Sequence, residues 1–234
     1  MSTNISSEDL QRNLLTVRAQ LAASSQSHQP PVTLIAVSKT RPPEQLRSIH
    51  QYGQKDFGEN YVQEAVTKIT ALSDLDIVWH FIGPIQKNKT RLIAEHFAWV
   101  HSIDRAVIAE RLNQQRPDHL PALNVCLQIN IDDEATKSGI YPHQLSELAE
   151  CVKQLPRLNL AGLMAIPSAQ QGFSAQYETF TKLRLLLASL QLDAPQATTL
   201  SMGMSNDYQA AIAAGATMVR IGTALFGPRN YPQE

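Results

Sequence analysis

The chain has 234 residues, a hydrophobic fraction of 43%, a charged fraction of 18% and a net charge of -1 at pH 7. These values are typical of a globular protein with one barrel-sized domain or two small ones. The small net charge gives no overall electrostatic attraction for nucleic acid or an anionic membrane. No apolar run reaches membrane-spanning length and the N-terminus lacks the apolar core of a signal peptide, so we expect a cytoplasmic protein.

The first predicted element is a helix that Ser6 or Ser7 caps and that has one apolar face. After a polar loop at 24–31, strands and helices alternate through the rest of the chain. The predicted strands are 32–38, 56–60, 77–83, 99–104, 122–130, 158–166, 198–203 and 217–222. The helices that follow them are 43–52, 61–72, 88–97, 105–116, 141–155, 173–191, 206–214 and a short one from Thr223 or Ala224.

This alternation predicts the fold class. Each strand is followed by a helix, so the strands should be parallel with right-handed crossovers. Eight such units predict a single α/β domain over residues 1–234, a (β/α)8 TIM barrel with an extra N-terminal helix. A doubly wound open sheet is the alternative, which the lack of a Gly-rich dinucleotide motif after any strand weakens. The cysteines, Cys126 and Cys151, read as reduced core residues, and we expect no metal site.

Lys39 follows the apolar run that forms the first predicted strand, and Pro42 and Pro43 come soon after it. A continuous apolar run is typical of a strand buried on both faces. A lysine delivered by such a strand would be partly desolvated, which lowers its pKa and makes its amine a nucleophile. The alternative is a solvated lysine just past a strand end.

The last two strand ends carry the features of a phosphate site. Ser201 and Ser205 follow the seventh strand, and Gly222 and Thr223 follow the eighth. Barrels of this type often hold a phosphate between these two loops and the start of a short helix. The alternative is that Ser205 or Asn206 caps helix 206–214 and that Thr223 caps the last helix.

Arg220 lies two residues before Gly222 and is predicted to face the barrel interior, since side chains two apart on a strand share a face. A buried arginine needs an acceptor, which would be either a carboxylate such as Glu59 or a ligand atom. A lysine for an aldehyde, a phosphate site and a donor for a ring nitrogen together describe pyridoxal 5′-phosphate.

Seven sequence blocks closely resemble the pyridoxal phosphate homeostasis protein family, in order and over nearly the whole chain. They are 36–40, 57–64, 79–83, 137–139, 162–167, 200–205 and 219–227. The resemblance implies a barrel similar to the N-terminal domain of alanine racemase. It also implies a Schiff base between pyridoxal phosphate and Lys39, and a role in cofactor homeostasis without established catalysis. Many members have a lysine where this chain has Arg41.

The residues expected to bind the cofactor share a position at strand ends or inside the barrel. They are Lys39, Asn60, Met164, Ser201, Ser205, Arg220, Gly222 and Thr223. Met164 is expected either to pack in the core or to lie against the cofactor ring. His80 is expected to be a core or rim histidine, and Lys137 either a solvated residue or a second aldehyde acceptor.

Two functions with this cofactor remain possible at this point: the protein either carries it or uses it in catalysis. Arg220 can donate to the pyridine nitrogen but cannot protonate it, which makes the ring a weak electron sink. Alanine racemases tolerate such an arginine but add a β domain and a tyrosine base, whereas here the barrel is expected to use the chain almost to Glu234. We therefore expect a monomeric carrier that has apo-enzymes as recipients. A small amino-acid racemase or lyase is the second hypothesis, and an aldolase-like barrel is the third.

Overall fold

The computed structural model describes residues 5–25, 30–134 and 136–228. The strands are β1 Thr33–Val37, β2 Asp56–Glu59, β3 Val78–Phe81, β4 Trp99–Ile103, β5 Leu123–Ile129, β6 Leu158–Ala165, β7 Thr199–Ser201 and β8 Met218–Ile221. The helices are α1 Ser7–Ser24, α2 Pro43–Gln51, α3 Val62–Ala71, α4 Thr90–His96, α5 Ala106–Gln115, α6 Leu145–Lys153, α7 Phe173–Leu190, α8 Tyr208–Ala213 and α9 Thr223–Phe226.

The eight strands close into one parallel barrel in chain order, and β1 completes the ring by pairing with β8. In that closing pair Ile35 lies opposite Arg220. The (β/α)8 fold and the extra N-terminal helix predicted from the alternation are therefore confirmed, and the open-sheet alternative is wrong. Because all strands point the same way, the loops that follow them gather at one end of the barrel.

The helix α1 completes the outer ring of helices. The helix after β8 is one short turn, and α1 packs against α2, α8 and α9 beside it. Ser6 caps α1 by accepting the N–H of Asp9, as its sequence predicts. Its buried face consists of Leu10, Leu14, Val17 and Leu21.

Apolar and polar residues divide between two layers of the core. Leu34, Val100 and Val219 belong to the large apolar cluster that includes the buried faces of the helices. Alternate strand positions point into the barrel, where buried polar side chains such as His80, His101 and Arg220 lie. A hydrogen bond between His101 on β4 and Ser201 on β7 must cross the barrel interior, because these strands are not neighbours.

Several predicted helix ends need correction. Short 3₁₀ turns at Lys87–Lys89 and Pro142–Gln144 precede α4 and α6, so these α-helices begin later than the apolar pattern predicts. The helix α8 begins at Tyr208, with Asp207 at its N-cap, so neither Ser205 nor Asn206 caps it. Gly222 is the N-cap of α9 and Thr223 is its first residue, so the expected Thr223 cap is also wrong.

The described residues contain neither a membrane-spanning helix nor a cluster of metal-binding side chains. No helix there combines the length and apolar character needed to cross a membrane. Within the same residues, no group of three or more His, Cys, Asp or Glu side chains could hold a metal ion.

Candidate functional site

A cavity of about 470 Å³ opens at the end of the barrel where the strands finish. Its wall combines residues at or just after the ends of six different strands, and six of the predicted cofactor-binding residues lie in it. They are Lys39, Asn60, Ser205, Arg220, Gly222 and Thr223. The barrel topology thus brings together side chains that are up to 184 positions apart in the sequence, from Lys39 to Thr223.

Two predicted residues lie beneath this wall. Met164 on β6 is fully buried and pairs in register with Ser201 on β7. Ser201 is also fully buried, and its hydroxyl is hydrogen-bonded to His101 and Arg220. Neither side chain is part of the cavity wall as the structure describes it, so direct contact of either one with a ligand stays a prediction.

The peptide groups on both sides of Lys39 are held by side chains from α3. Lys68 Nζ donates to the carbonyl of Ser38 at 2.7 Å, and Glu64 Oε1 accepts the N–H of Thr40 at 2.5 Å. Thr40 has a φ of 64°, a left-handed conformation that costs free energy in a β-branched residue. The contacts from α3 offset this cost and fix the turn from which the half-buried Lys39 enters the cavity.

Glu59 anchors the same turn from inside the protein. Its Oε1 accepts hydrogen bonds from Ser38 Oγ at 2.6 Å and Lys68 Nζ at 2.7 Å, and the side chain is fully buried. Burial raises the pKa of Glu59, while the charge and hydrogen bond of Lys68 act in the opposite direction. Glu59 is therefore the partner of Lys68, and the suggested pairing of Glu59 with Arg220 is wrong.

Arg220 forms the floor of the cavity with its side chain facing the barrel interior, as predicted. Its Nη1 donates to the carbonyl and hydroxyl of Ser201 at 2.6 and 2.8 Å, and its Nη2 donates to the carbonyl of Ala165 at 3.0 Å. Burial lowers the pKa of Arg220 to about 10, against the attraction of Asp207, so the guanidinium stays charged at neutral pH. These three bonds leave part of the five-donor guanidinium available for a ligand in the cavity.

Asn60 lies in the cavity wall directly after β2. Its Oδ1 is buried and has no hydrogen-bond partner within the described part of the chain. The backbone of Asn60 approaches Gly83 so closely that a Cβ at Gly83 would lie 2.3 Å from the Asn60 carbonyl oxygen. The backbone of Asn60 is therefore held in place, and its side-chain amide can meet a polar ligand atom through either its oxygen or its nitrogen.

The hydroxyl groups of Ser205 and Thr223 border the cavity on the side of β7 and β8. Gly222 lies between Arg220 and Thr223 at the start of α9, where backbone N–H groups lack acceptors within the helix. Asp207 also borders this side, where its Oδ1 accepts the N–H of Met204 at 2.6 Å. Burial raises the pKa of Asp207, while the charge of Arg220 acts in the opposite direction.

Some side chains contribute to the site without having been expected from the sequence. Arg41 lines the cavity and donates to the carbonyl of Gly227 at 2.6 Å, which ties the loop after β1 to the C-terminal end of α9. Asp207 and His101 were not singled out. For His101 the signal was present, since it alternates with the outward-facing Val100 on β4. His80 is fully buried, which confirms its place in the core.

Lys137 lies beside the cavity instead of in its wall. It lines a neighbouring recess that shares Ile166 and Pro167 with the cavity. Its Nζ donates to Asp132 Oδ2 at 2.6 Å and to the hydroxyl of Ser168. The cavity itself thus presents one lysine, two donor-only arginines and two hydroxyls, a set that fits a ligand with an aldehyde, a ring nitrogen and a phosphate.

Comparison with a family model matches residues 5–230 to the family described as alanine racemase, N-terminal domain. The chain is 56% identical over 222 residues to the pyridoxal phosphate homeostasis protein of Pseudomonas aeruginosa, covering 94% of this chain and 95% of that protein. It is 51% identical over 232 residues to the protein of the same name from Escherichia coli, covering 97% of this chain and 99% of that protein.

Among solved structures, the barrel is similar to PipY of Synechococcus elongatus with pyridoxal phosphate bound. The TM-score is 0.79 at 38% identity, and the match covers 93% of this chain and 100% of that chain. Alanine racemase from Corynebacterium glutamicum has the same barrel, with a TM-score of 0.70 at 15% identity over 96% of this chain and 62% of that chain. The likeness to the racemase concerns the fold alone.

Proposed function

The chain belongs to the pyridoxal phosphate homeostasis protein family, and we propose that it binds pyridoxal 5′-phosphate in the cavity as a Schiff base on Lys39. The observation that carries the proposal is the convergence of Lys39 and Arg220 on one cavity with the hydroxyls of Ser205 and Thr223. When bound, the cofactor supplies an aldehyde that reacts with amines and a ring that can accept electrons.

The covalent step needs one amine and one aldehyde. The unprotonated amine of Lys39 adds to the aldehyde carbon, a C=N bond forms, and the carbonyl oxygen leaves as water. The protein positions the amine for this reaction, because the contacts of Lys68 and Glu64 fix the turn that carries Lys39. The reverse reaction with water or another amine releases the cofactor, which is the chemistry that a carrier requires.

Arg220 favours carriage over catalysis. It is charged and can only donate, so a remaining N–H of its guanidinium would meet a ring nitrogen that stays unprotonated. An unprotonated ring withdraws electrons weakly and stabilises a carbanion poorly. We therefore infer that the protein holds and releases pyridoxal phosphate without efficient turnover of amino acids.

Each remaining predicted residue has a proposed role. Ser205, Gly222 and Thr223 hold the phosphate through hydroxyls and backbone N–H groups, and the amide of Asn60 meets a polar group of the ring. Ser201 acts through Arg220, to which it is hydrogen-bonded. Met164 supports the cavity floor from its buried position on β6.

The cellular setting forms part of the same proposal. Residues 1–234 act as one cofactor-binding domain, in monomeric form and in the cytoplasm. Apo-enzymes that need pyridoxal phosphate are the proposed recipients, and neither nucleic acid nor a membrane is a partner.

Borohydride reduction of the protein loaded with pyridoxal phosphate tests the proposal directly. Reduction converts the C=N bond into a stable amine, and peptide mass mapping should then place the pyridoxyl group on Lys39. A label found mainly on Lys137 or Lys89 would contradict the assignment. A purified protein without visible absorption would favour an aldolase-like barrel instead.

A further inference from the structure

A continuous chain of hydrogen bonds crosses the inside of the barrel and ends at the cavity floor. Asp56 Oδ1 lies 3.0 Å from His80 Nε2, and His80 Nδ1 lies 2.9 Å from His101 Nε2. His101 Nδ1 lies 2.8 Å from Ser201 Oγ, which lies 2.8 Å from Arg220 Nη1. We call these five residues the barrel chain.

The barrel chain connects the two ends of the barrel. His80, His101 and Ser201 are fully buried, and Arg220 is 4% exposed at the cavity. Asp56 is the first residue of β2, and its side chain is 28% exposed. Parallel strands begin at the end of the barrel opposite the cavity, so the chain links a carboxylate at that end to the guanidinium beneath the cavity.

The position of every proton in the barrel chain follows from the partners of Ser201. Its hydroxyl is fully buried and contacts Arg220 and His101 among the described residues. A guanidinium only donates, so the acceptor left for the buried hydroxyl proton is His101 Nδ1. His101 then carries its proton on Nε2 and donates to His80 Nδ1. His80 likewise carries its proton on Nε2 and donates to the carboxylate of Asp56. Both rings are therefore neutral and in the same tautomer, and all four bonds run in one direction.

Burial supports this arrangement, because it lowers the pKa of both histidines. An extra proton on His80 would also place two N–H groups against each other across the 2.9 Å contact with His101. Moving the His101 proton to Nδ1 would relieve that clash, but the buried hydroxyl proton of Ser201 would then lose its acceptor. A directed chain with an anion at one end and a cation at the other polarises each bond in the same sense. Such a chain holds its terminal group more firmly than separate hydrogen bonds would.

We propose that Asp56, His80 and His101 are positioning residues, which act through Ser201 to hold the guanidinium of Arg220 in place at the cavity floor. The inference rests on the proposed function only in taking pyridoxal phosphate as the ligand that Arg220 meets. It assigns a role to buried polar residues that do not touch the ligand, in the place where aliphatic side chains usually fill such barrels.

The tautomers can be measured without the cofactor. Long-range ¹H–¹⁵N correlation spectra of the ¹⁵N-labelled full-length apo-protein at neutral pH report which ring nitrogen carries the proton. His80 and His101, assigned by loss of signals in His80→Gln and His101→Gln, should both show a protonated Nε2 and an unprotonated Nδ1. A protonated Nδ1 or a charged ring at either position would overturn the barrel chain.

The link to the ligand is tested by cofactor release and by the visible absorption band of the loaded protein. His101→Leu breaks the chain and should speed release of pyridoxal phosphate by about tenfold, the effect of weakening a hydrogen bond to a charged group. His101→Gln should stay close to the parent, because its amide oxygen can accept from Ser201 and its NH₂ can donate to His80. Equal release rates for the two variants would overturn the proposal.

Asp56→Asn keeps an acceptor for His80 but removes the charge, and its partly exposed site makes misfolding a minor concern. It should shift the absorption band and speed release by a few-fold. The matched control is Asp76→Asn, which removes a carboxylate that also contacts a histidine, His50, on the surface. If Asp56→Asn and Asp76→Asn change the band and the release rate alike, the proposal fails. A pyridoxyl label absent from Lys39 after borohydride reduction would instead reject the proposed function, and it would not affect the measured tautomers.

Discussion

At the scale of single residues, Ser205 offers a test of the phosphate site. Its hydroxyl borders the cavity beside Gly222 and Thr223. Ser205→Ala should weaken binding of pyridoxal phosphate by roughly 1.5–3 kcal/mol, the range for a hydrogen bond to a charged group. Binding of pyridoxal, which lacks the phosphate, is the control and should change little. Equal losses for both ligands, measured by absorption titration, would place the phosphate elsewhere.

His80 and His101 should make the stability of the apo-protein depend on pH. Burial lowers the pKa of both rings from the ordinary 6.5, and the charge of Arg220 lowers the pKa of His101 further. Below pH 6.5 the unfolded chain therefore binds protons that the folded protein does not bind. The free energy of unfolding should fall as the pH drops from 6.5, by up to about 1.4 kcal/mol per pH unit for each ring.

Urea unfolding between pH 5 and 8 measures this slope. His101→Gln removes one of the two rings, so its slope below pH 6.5 should be smaller than that of the parent. The comparison cancels the contributions of all other titrating groups. A slope that the substitution leaves unchanged would show that His101 takes up its proton equally well in both states.

At the scale of elements, the turn between β1 and α2 depends on α3. Lys68, 3% exposed, is the cation that pairs with Glu59 and holds the Ser38 carbonyl. Lys68→Met leaves the carboxylate of Glu59 buried without its partner and should lower the free energy of unfolding by about 3–5 kcal/mol. The loosened turn should also reduce borohydride labelling of Lys39 at a fixed cofactor concentration.

Lys55→Met is the matched control for this prediction. Lys55 pairs with Asp76 on the surface, where its side chain is 56% exposed. Exposed ion pairs contribute about 0–1 kcal/mol, so this variant should unfold and label almost as the parent does. A comparable loss in both variants would mean that the buried pair has no special part in fixing the turn.

At the scale of the whole molecule, carriage and catalysis give different outcomes. The loaded protein should transfer pyridoxal phosphate to an apo-enzyme and should turn over no amino acid at an ordinary enzyme rate. A panel of L- and D-amino acids in deuterated water, followed by α-proton exchange and chiral product analysis, measures the second point. Turnover of any one of them at about 1 per second or faster would support the racemase or lyase hypothesis.

If such turnover is found, Tyr61 is the candidate for the base opposite Lys39. It precedes α3 as the N-cap residue, is 54% exposed, and follows Asn60 of the cavity wall. Tyr61→Phe removes the hydroxyl and keeps the ring. Unchanged slow exchange in that variant would leave Lys39 as the residue that moves the proton.

The sequence by itself determined the barrel fold and the positions of Lys39 and Arg220 in it. Strict alternation of apolar strands and amphipathic helices leaves few topologies, since parallel strands need crossovers of one hand. The position of Lys39 after β1 and the parity of Arg220 on β8 then follow from local geometry, because side chains two apart on a strand share a face. Six of the predicted residues accordingly meet in one cavity.

Only the tertiary structure decided which polar groups pair with one another. The partner of Glu59 is Lys68, and Arg220 bonds to Ser201 and Ala165 instead of a carboxylate. The contact between His101 and Ser201 spans 100 positions and two strands that are not neighbours. Periodicity fixes the face on which a side chain lies, but the pairing across a closed barrel depends on strand register and distance, which arise only when the ring of strands closes.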